Sequence, residues 1–155
     1  MSEFLETDKI KLEFDKNTGA IIGLLNKITG WQVIRQPRLA MGIQLLVPIK
    51  EHRNNKVRSE LQNLTEFQKL NEKQAILKWN GVRGDKSGDL DISIESKISL
   101  EDSEIHFEIA VDNRSPYTIE ELWYPCLGGL RESDSEPALE SLSLHGCGGL
   151  SRKPR

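Results

Sequence analysis

The sequence predicts an all-β chain, an antiparallel β-sandwich. Three observations carry that expectation. Apolar residues recur at period two, turn residues separate the runs, and no window holds a helical period over three turns. Short strands spaced in this way and joined by Gly, Asn, Asp and Pro are the pattern of a sandwich or barrel.

The elements follow in order. Ile10, Leu12 and Phe14 alternate with Lys11, Glu13 and Asp15, so one face of the strand is buried and the other is wet. Lys16-Asn17-Thr18-Gly19 is a turn, and Gly19 suits a left-handed backbone. Ala20 to Leu25 is apolar on both faces and reads as a more central strand. Asn26 to Gly30 turns the chain again before Trp31, which completes a hairpin meander. Ile43, Leu45, Val47 and Ile49 form the next run, and Pro48 ends it or places it at an edge. A short helix over Glu51 to Gln62 is a minor alternative for the stretch that follows.

Thr65 to Leu70 is a weak strand. Ala75, Leu77 and Trp79 alternate with Ile76, Lys78 and Asn80, and Gly81 to Gly88 reads as a polar loop. The clearest strand places Leu90, Ile92, Ile94, Ser96, Ile98 and Leu100 on one face. After the Glu101-Asp102-Ser103 turn, Ile105, Phe107, Ile109 and Val111 face inward, with Glu104, His106 and Glu108 outward. Asp112 to Pro116 turns the chain into a last strand, Tyr117 to Cys126. A β-sandwich domain over 1–130 is thus expected, with 131–155 a polar segment that is a linker or the start of a following region.

Length and charge bound the function. A chain of 155 residues is one domain's worth and can bury one sizeable core. No apolar run reaches the roughly 18–20 residues that span a bilayer, so no membrane partner is expected. The net charge of −3 argues against duplex nucleic acid, whose binders must neutralise many phosphates. The basic stretch of Lys50, Arg53, Lys56 and Arg58 lacks interleaved aromatics and reads as a solvated loop. Eleven acids fall between residues 101 and 140 against two arginines, which suits outward strand faces. The acidic start, Met1 to Glu6, has no signal-peptide character, so a cytoplasmic location is expected. Cys126 and Cys147 allow one disulfide at most; two reduced thiols are the simpler reading.

Catalytic constellations are sparse. His106, between Glu104 and Glu108, is either a carboxylate-oriented imidazole or part of a solvated face. His145, Cys147 and Cys126 match no standard zinc spacing. Glu120 and Glu121 are adjacent on a strand and point to opposite faces, unlike the paired acids of a glycosidase. There is no phosphate loop and no nucleophile elbow. No catalytic residue, metal or cofactor is expected.

Two phrases carry a resemblance. Leu12-Glu13-Phe14-Asp15-Lys16-Asn17-Thr18-Gly19 to Asn26-Lys27-Ile28-Thr29-Gly30 is similar to the first hairpin of the β-supersandwich domains in carbohydrate-active enzymes. Phe107 to Ser115, then Ile119 to Leu130 with Trp123-Tyr124-Pro125 and Gly128-Gly129-Leu130, resembles a later phrase of the same domains. Together they resemble the galactose-mutarotase-like supersandwich, and within it the N-terminal domain of a glycoside hydrolase. The resemblance implies a non-catalytic domain that supports a separate (β/α) barrel of about 250 residues and helps shape its carbohydrate cleft. The mutarotase histidine motif is not recognisable around His52, His106 or His145. The expected interface or carbohydrate contacts are Trp31, Trp123, Tyr124, Gly128 and Gly129, with core packing an equal alternative for Trp123 and Tyr124. Two other functions stay open: a stand-alone carbohydrate-binding module and, more weakly, an aldose-epimerase-like enzyme. Partners are therefore carbohydrate or a catalytic barrel.

Overall fold

The computed structural model describes residues 2–34 and 37–130, with the backbone of 141–142 and 150–151. The strands in chain order begin with β1 (Ser2–Glu6), β2 (Ile10–Asp15), β3 (Ile21–Asn26), β4 (Gln32–Ile34), β5 (Gln44–Leu46) and β6 (Lys56–Arg58). They continue with β7 (Glu66–Asn71), β8 (Gln74–Asn80), β9 (Arg83–Gly84), β10 (Gly88–Asp89), β11 (Ile92–Glu101) and β12 (Glu104–Asn113). The last are β13 (Glu121–Trp123), β14 (Ser141–Leu142) and β15 (Leu150–Ser151). No α-helix occurs among the described residues, and none is long and apolar enough to cross a membrane.

Three antiparallel sheets build the domain. The first runs β1-β2-β3-β4, the second β10-β9-β6-β5-β13, and the third β12-β11-β8-β7; β14 and β15 pair with each other. Bridges from Ile21 to Met41 and from Ile34 to Leu130 join the first sheet to chain next to the second. The third sheet covers both. Phe14 of β2 meets Phe67 of β7 with ring centroids 5.8 Å apart, and Trp79 and Ile94 lie against Ile43 and Val57. The expected all-β sandwich is the architecture observed, with none of the sheets closed into a barrel.

The alternating residues do what period two requires. Leu12 and Phe14 of β2, Ala75, Leu77 and Trp79 of β8, and Ile92, Ile94, Ser96, Ile98 and Leu100 of β11 are all buried in one cluster. β3, apolar on both faces, is flanked by β2 and β4 as a central strand should be. β7, the weak strand, is the exposed edge of the third sheet.

Several local expectations need correction. The stretch from Glu51 to Gln62 forms β6 and a 3-10 turn at Ser59–Leu61 instead of a helix, because Val57 is drawn into the core. The loop Gly81 to Gly88 carries the small ladder β9–β10, organised by buried Asn55. The Asn55 amide donates to the Val47 carbonyl and Ser87 Oγ, and its oxygen accepts from the Lys86 and Ser87 amides. The expected strand Tyr117 to Cys126 shortens to Glu121–Trp123, with the Glu120 amide still donating to the Leu46 carbonyl. The polar segment 131–155, with His145, Cys147 and the second Gly-Gly-Leu, lies outside the described residues except for β14 and β15.

The β2–β3 turn is fixed by Asp15. Its carboxylate accepts from the Asn17 and Thr18 amides and from Thr18 Oγ1 at 2.8–3.1 Å. Partial burial alone would raise its pKa, but these hydrogen bonds outweigh that and hold it below the ordinary 3.8. A pKa lower folded than unfolded stabilises the fold in full above the ordinary carboxyl value and loses that contribution as pH falls through the folded one. Asp15→Ala should therefore cost about 1 kcal/mol in urea unfolding at neutral pH. Its deficit against wild type should shrink as the titration is repeated at progressively lower pH below 3.8.

Candidate functional site

Past β13 the chain runs back along the segment that links β4 and β5. The Cys126 amide donates to the Gly42 carbonyl at 2.7 Å, and Leu130 bridges Ile34. A Cβ on Gly128 would sit 1.9 Å from the Leu39 carbonyl oxygen, so only glycine lets the two backbones come this close. Gly129 holds φ at +69°, and the Tyr124–Pro125 peptide is cis. This two-stranded ribbon exposes Trp123 (45%), Leu39 (53%) and Leu130 (42%).

Period two separates the two aromatics. Trp123 pairs with Gln44 and Leu122 with buried Leu45, so the two point to opposite faces of the strand, although both stay exposed, at 45% and 43%. The Trp123 indole N–H donates to Glu121 Oε2 at 2.9 Å, which fixes the exposed ring. Tyr124 turns inward. Its ring stands edge-on to Phe107 at 5.6 Å, and its hydroxyl pairs with Ser96 Oγ. Burial pushes the phenol up to about 12, with the Ser96 contact opposing. The expected pair thus divides into a surface group, Trp123, and a packing group, Tyr124.

The other expected residues divide in the same way. Gly128 and Gly129 shape the ribbon. Trp31 is half-buried just ahead of β4, on the strand whose Ile34 meets Leu130. Cys126 donates its thiol to the Trp123 carbonyl at 3.5 Å, and a pairing with Cys147 falls outside the described residues. Leu130 ends the Trp123 to Leu130 segment expected to face a partner, whereas Leu39 was not anticipated. Its signal lies in Gly128, since a glycine beside an apolar residue marks a close backbone approach.

Acid–base chemistry finds no enclosed place among the described residues. His106 Nε2 lies 3.4 Å from Glu104 and 3.7 Å from Glu101, all on the exposed outer face of the third sheet. The solvated reading of that histidine therefore holds. Glu120 faces Arg53 at 3.8 Å while Glu121 holds Trp123, so the adjacent acids do not converge. A polar cavity of about 290 Å³ opens where the β1–β2, β7–β8 and β11–β12 turns meet Lys27. Its charges neutralise one another: Lys9 pairs with Asp102 at 2.6 Å and Lys27 with Glu6 at 3.3 Å. No group of three or more metal-ligating side chains is assembled among the described residues.

Ser96 is fully buried, and Tyr124 is its hydrogen-bond partner among the described residues. Tyr124→Phe should cost about 1–2 kcal/mol in thermal or urea unfolding by orphaning that hydroxyl. Adding Ser96→Ala should return most of the loss, a coupling that plain loss of packing would not show.

No protein-family model matches the chain, and no curated protein matches it in sequence.

Proposed function

We propose that this chain is a non-catalytic β-sandwich domain of a larger carbohydrate-active protein. In this reading it docks on a separate catalytic (β/α) barrel and helps shape the barrel's sugar cleft. One observation carries the reading. The chain exposes apolar Leu39, Trp123 and Leu130 on two segments whose backbones meet at Gly128, and among the described residues no acid–base pair converges beside them. Aromatic and aliphatic groups on a rigid frame suit a protein interface, whose core excludes charge. The Leu12 to Gly30 hairpin and the Phe107 to Leu130 phrase support placing it with the galactose-mutarotase-like supersandwiches.

A stand-alone carbohydrate-binding module is the second reading, favoured by the exposed Trp123 indole fixed by Glu121. A flat aromatic face in water can stack a sugar ring. An epimerase-like enzyme is supported less, because His52 and His106 are exposed and do not line the polar cavity described above.

Titration calorimetry against mono- and oligosaccharides should give no binding heat at millimolar concentration. Joined to a barrel in one polypeptide, Trp123→Ala and Leu130→Ala should lower the melting temperature by about 2–4 °C each while kcat stays near wild type. Saccharide binding that disappears in Trp31→Ala or Trp123→Ala would overturn the scaffold reading and establish the module.

A further inference from the structure

A second surface, distinct from the ribbon, lies along β12. This strand is ten residues long, carries no proline or bulge, and pairs with β11 alone among the described residues. Its outer edge is a row of backbone donors and acceptors open to another strand. Its core side is unfinished as well. Ile105, Phe107, Ile109 and Val111 share a face with buried Leu100, Ile98, Ser96 and Ile94 of β11, yet they remain half-exposed.

We propose that the occupant of this edge is β12 of a second copy, paired antiparallel about a two-fold axis at Ile109. Charge complementarity selects both the partner and the register. With Ile109 on the axis, Glu104 faces Arg114 of the other copy, His106 faces Asp112, and Glu108 faces Ala110. Shifting the axis to Glu108 sets Glu108 against itself and Glu104 against Asp112; shifting it to Ala110 sets Glu108 against Asp112. Like charges directly opposite destabilise a sheet, so both neighbouring registers are disfavoured. On the core side the chosen register joins Phe107 to Val111 and Ile109 to Ile109, aromatic–β-branched and β-branched pairs that sheets favour. Arg114 supports the geometry because its amide donates to the Asp91 carbonyl, which carries the ladder past Asn113, and its guanidinium pairs with Asp112 at 2.8 Å on the outer face. The interface is isologous, so each charge pair occurs twice.

Glu104 and Arg114 side chains are 74% and 73% exposed, so reversing either leaves the monomer's core untouched. Sedimentation equilibrium from about 1 µM to about 1 mM should show a monomer–dimer equilibrium. Glu104→Arg and Arg114→Glu should each weaken it about tenfold, and the double variant should restore it, because the exchanged charges meet again. Amide exchange in residues 104–113 should slow as the dimer forms, with circular dichroism confirming that every variant is folded. A monomer throughout that range would overturn the proposal. So would a dimer indifferent to the single reversals, one not restored by the double variant, or protection that maps to the ribbon instead of β12.

Discussion

The sandwich depends on how Trp79 lies over the β2–β3 turn. The indole of β8 reaches from the third sheet to the first, where its N–H donates to the Thr18 carbonyl at 2.9 Å. It can do so because residue 19 is glycine. A Cβ there would stand 2.5 Å from the Trp79 ring, and the backbone holds φ at +72°. Asp15 sets that turn, and Leu64 anchors to it by donating its amide N–H to the Asn17 carbonyl at 2.6 Å. Two sheets are thereby locked at one spacing, and the apolar rows on either side fall into register. Burial of those rows supplies the main driving force, at about 25 cal/mol per Å² of apolar surface. A single aromatic on a glycine turn decides where it is applied.

That spacing also decides where the core ends. The inner row of β12, Ile105, Phe107, Ile109 and Val111, packs against the core cluster and yet stays half-exposed. Tyr124 is the partial remedy. Coming off β13, the chain turns Tyr124 inward, and the phenol reaches Phe107 and Ser96. One aromatic cannot cover four half-exposed residues.

Legibility in the sequence tracks how many buried side chains each strand owns. β11 places five residues in the core and β8 three, so their alternation stands out against any background. β6 buries Val57 alone, β9 and β10 are two residues each, and β13 buries none. Such strands exist because a neighbour's backbone is waiting, and that information is carried by other parts of the chain. β1 is a related case: Leu5 is buried, whereas Phe4 faces out between the Lys11 and Lys69 ammonium groups at 4.7 and 4.8 Å. Two adjacent apolar residues with opposite fates give no periodic signal. At the candidate site the residue types were legible but their directions were not. Trp123 and Tyr124 are neighbours in sequence, and only the pairing of Leu122 with Leu45 shows which one enters the core.

The distribution of charge completes the physical picture. The described ion pairs lie on outward faces and turns, where water screens them and each contributes little. The buried polar groups serve structure instead: Asn55 ties the β9–β10 loops, and the Gln62 amide group spans Arg58 and Arg83. Turnover needs a titratable group desolvated enough to hold an unusual proton affinity and open enough to meet a substrate. Tyr124 satisfies the first condition and, committed to Ser96 beneath β12, does not meet the second. Among the described residues, exposed apolar Leu39, Trp123 and Leu130 and the outer edge of β12 are left facing water. In the readings proposed above, the first would meet a barrel and the second another copy of the chain.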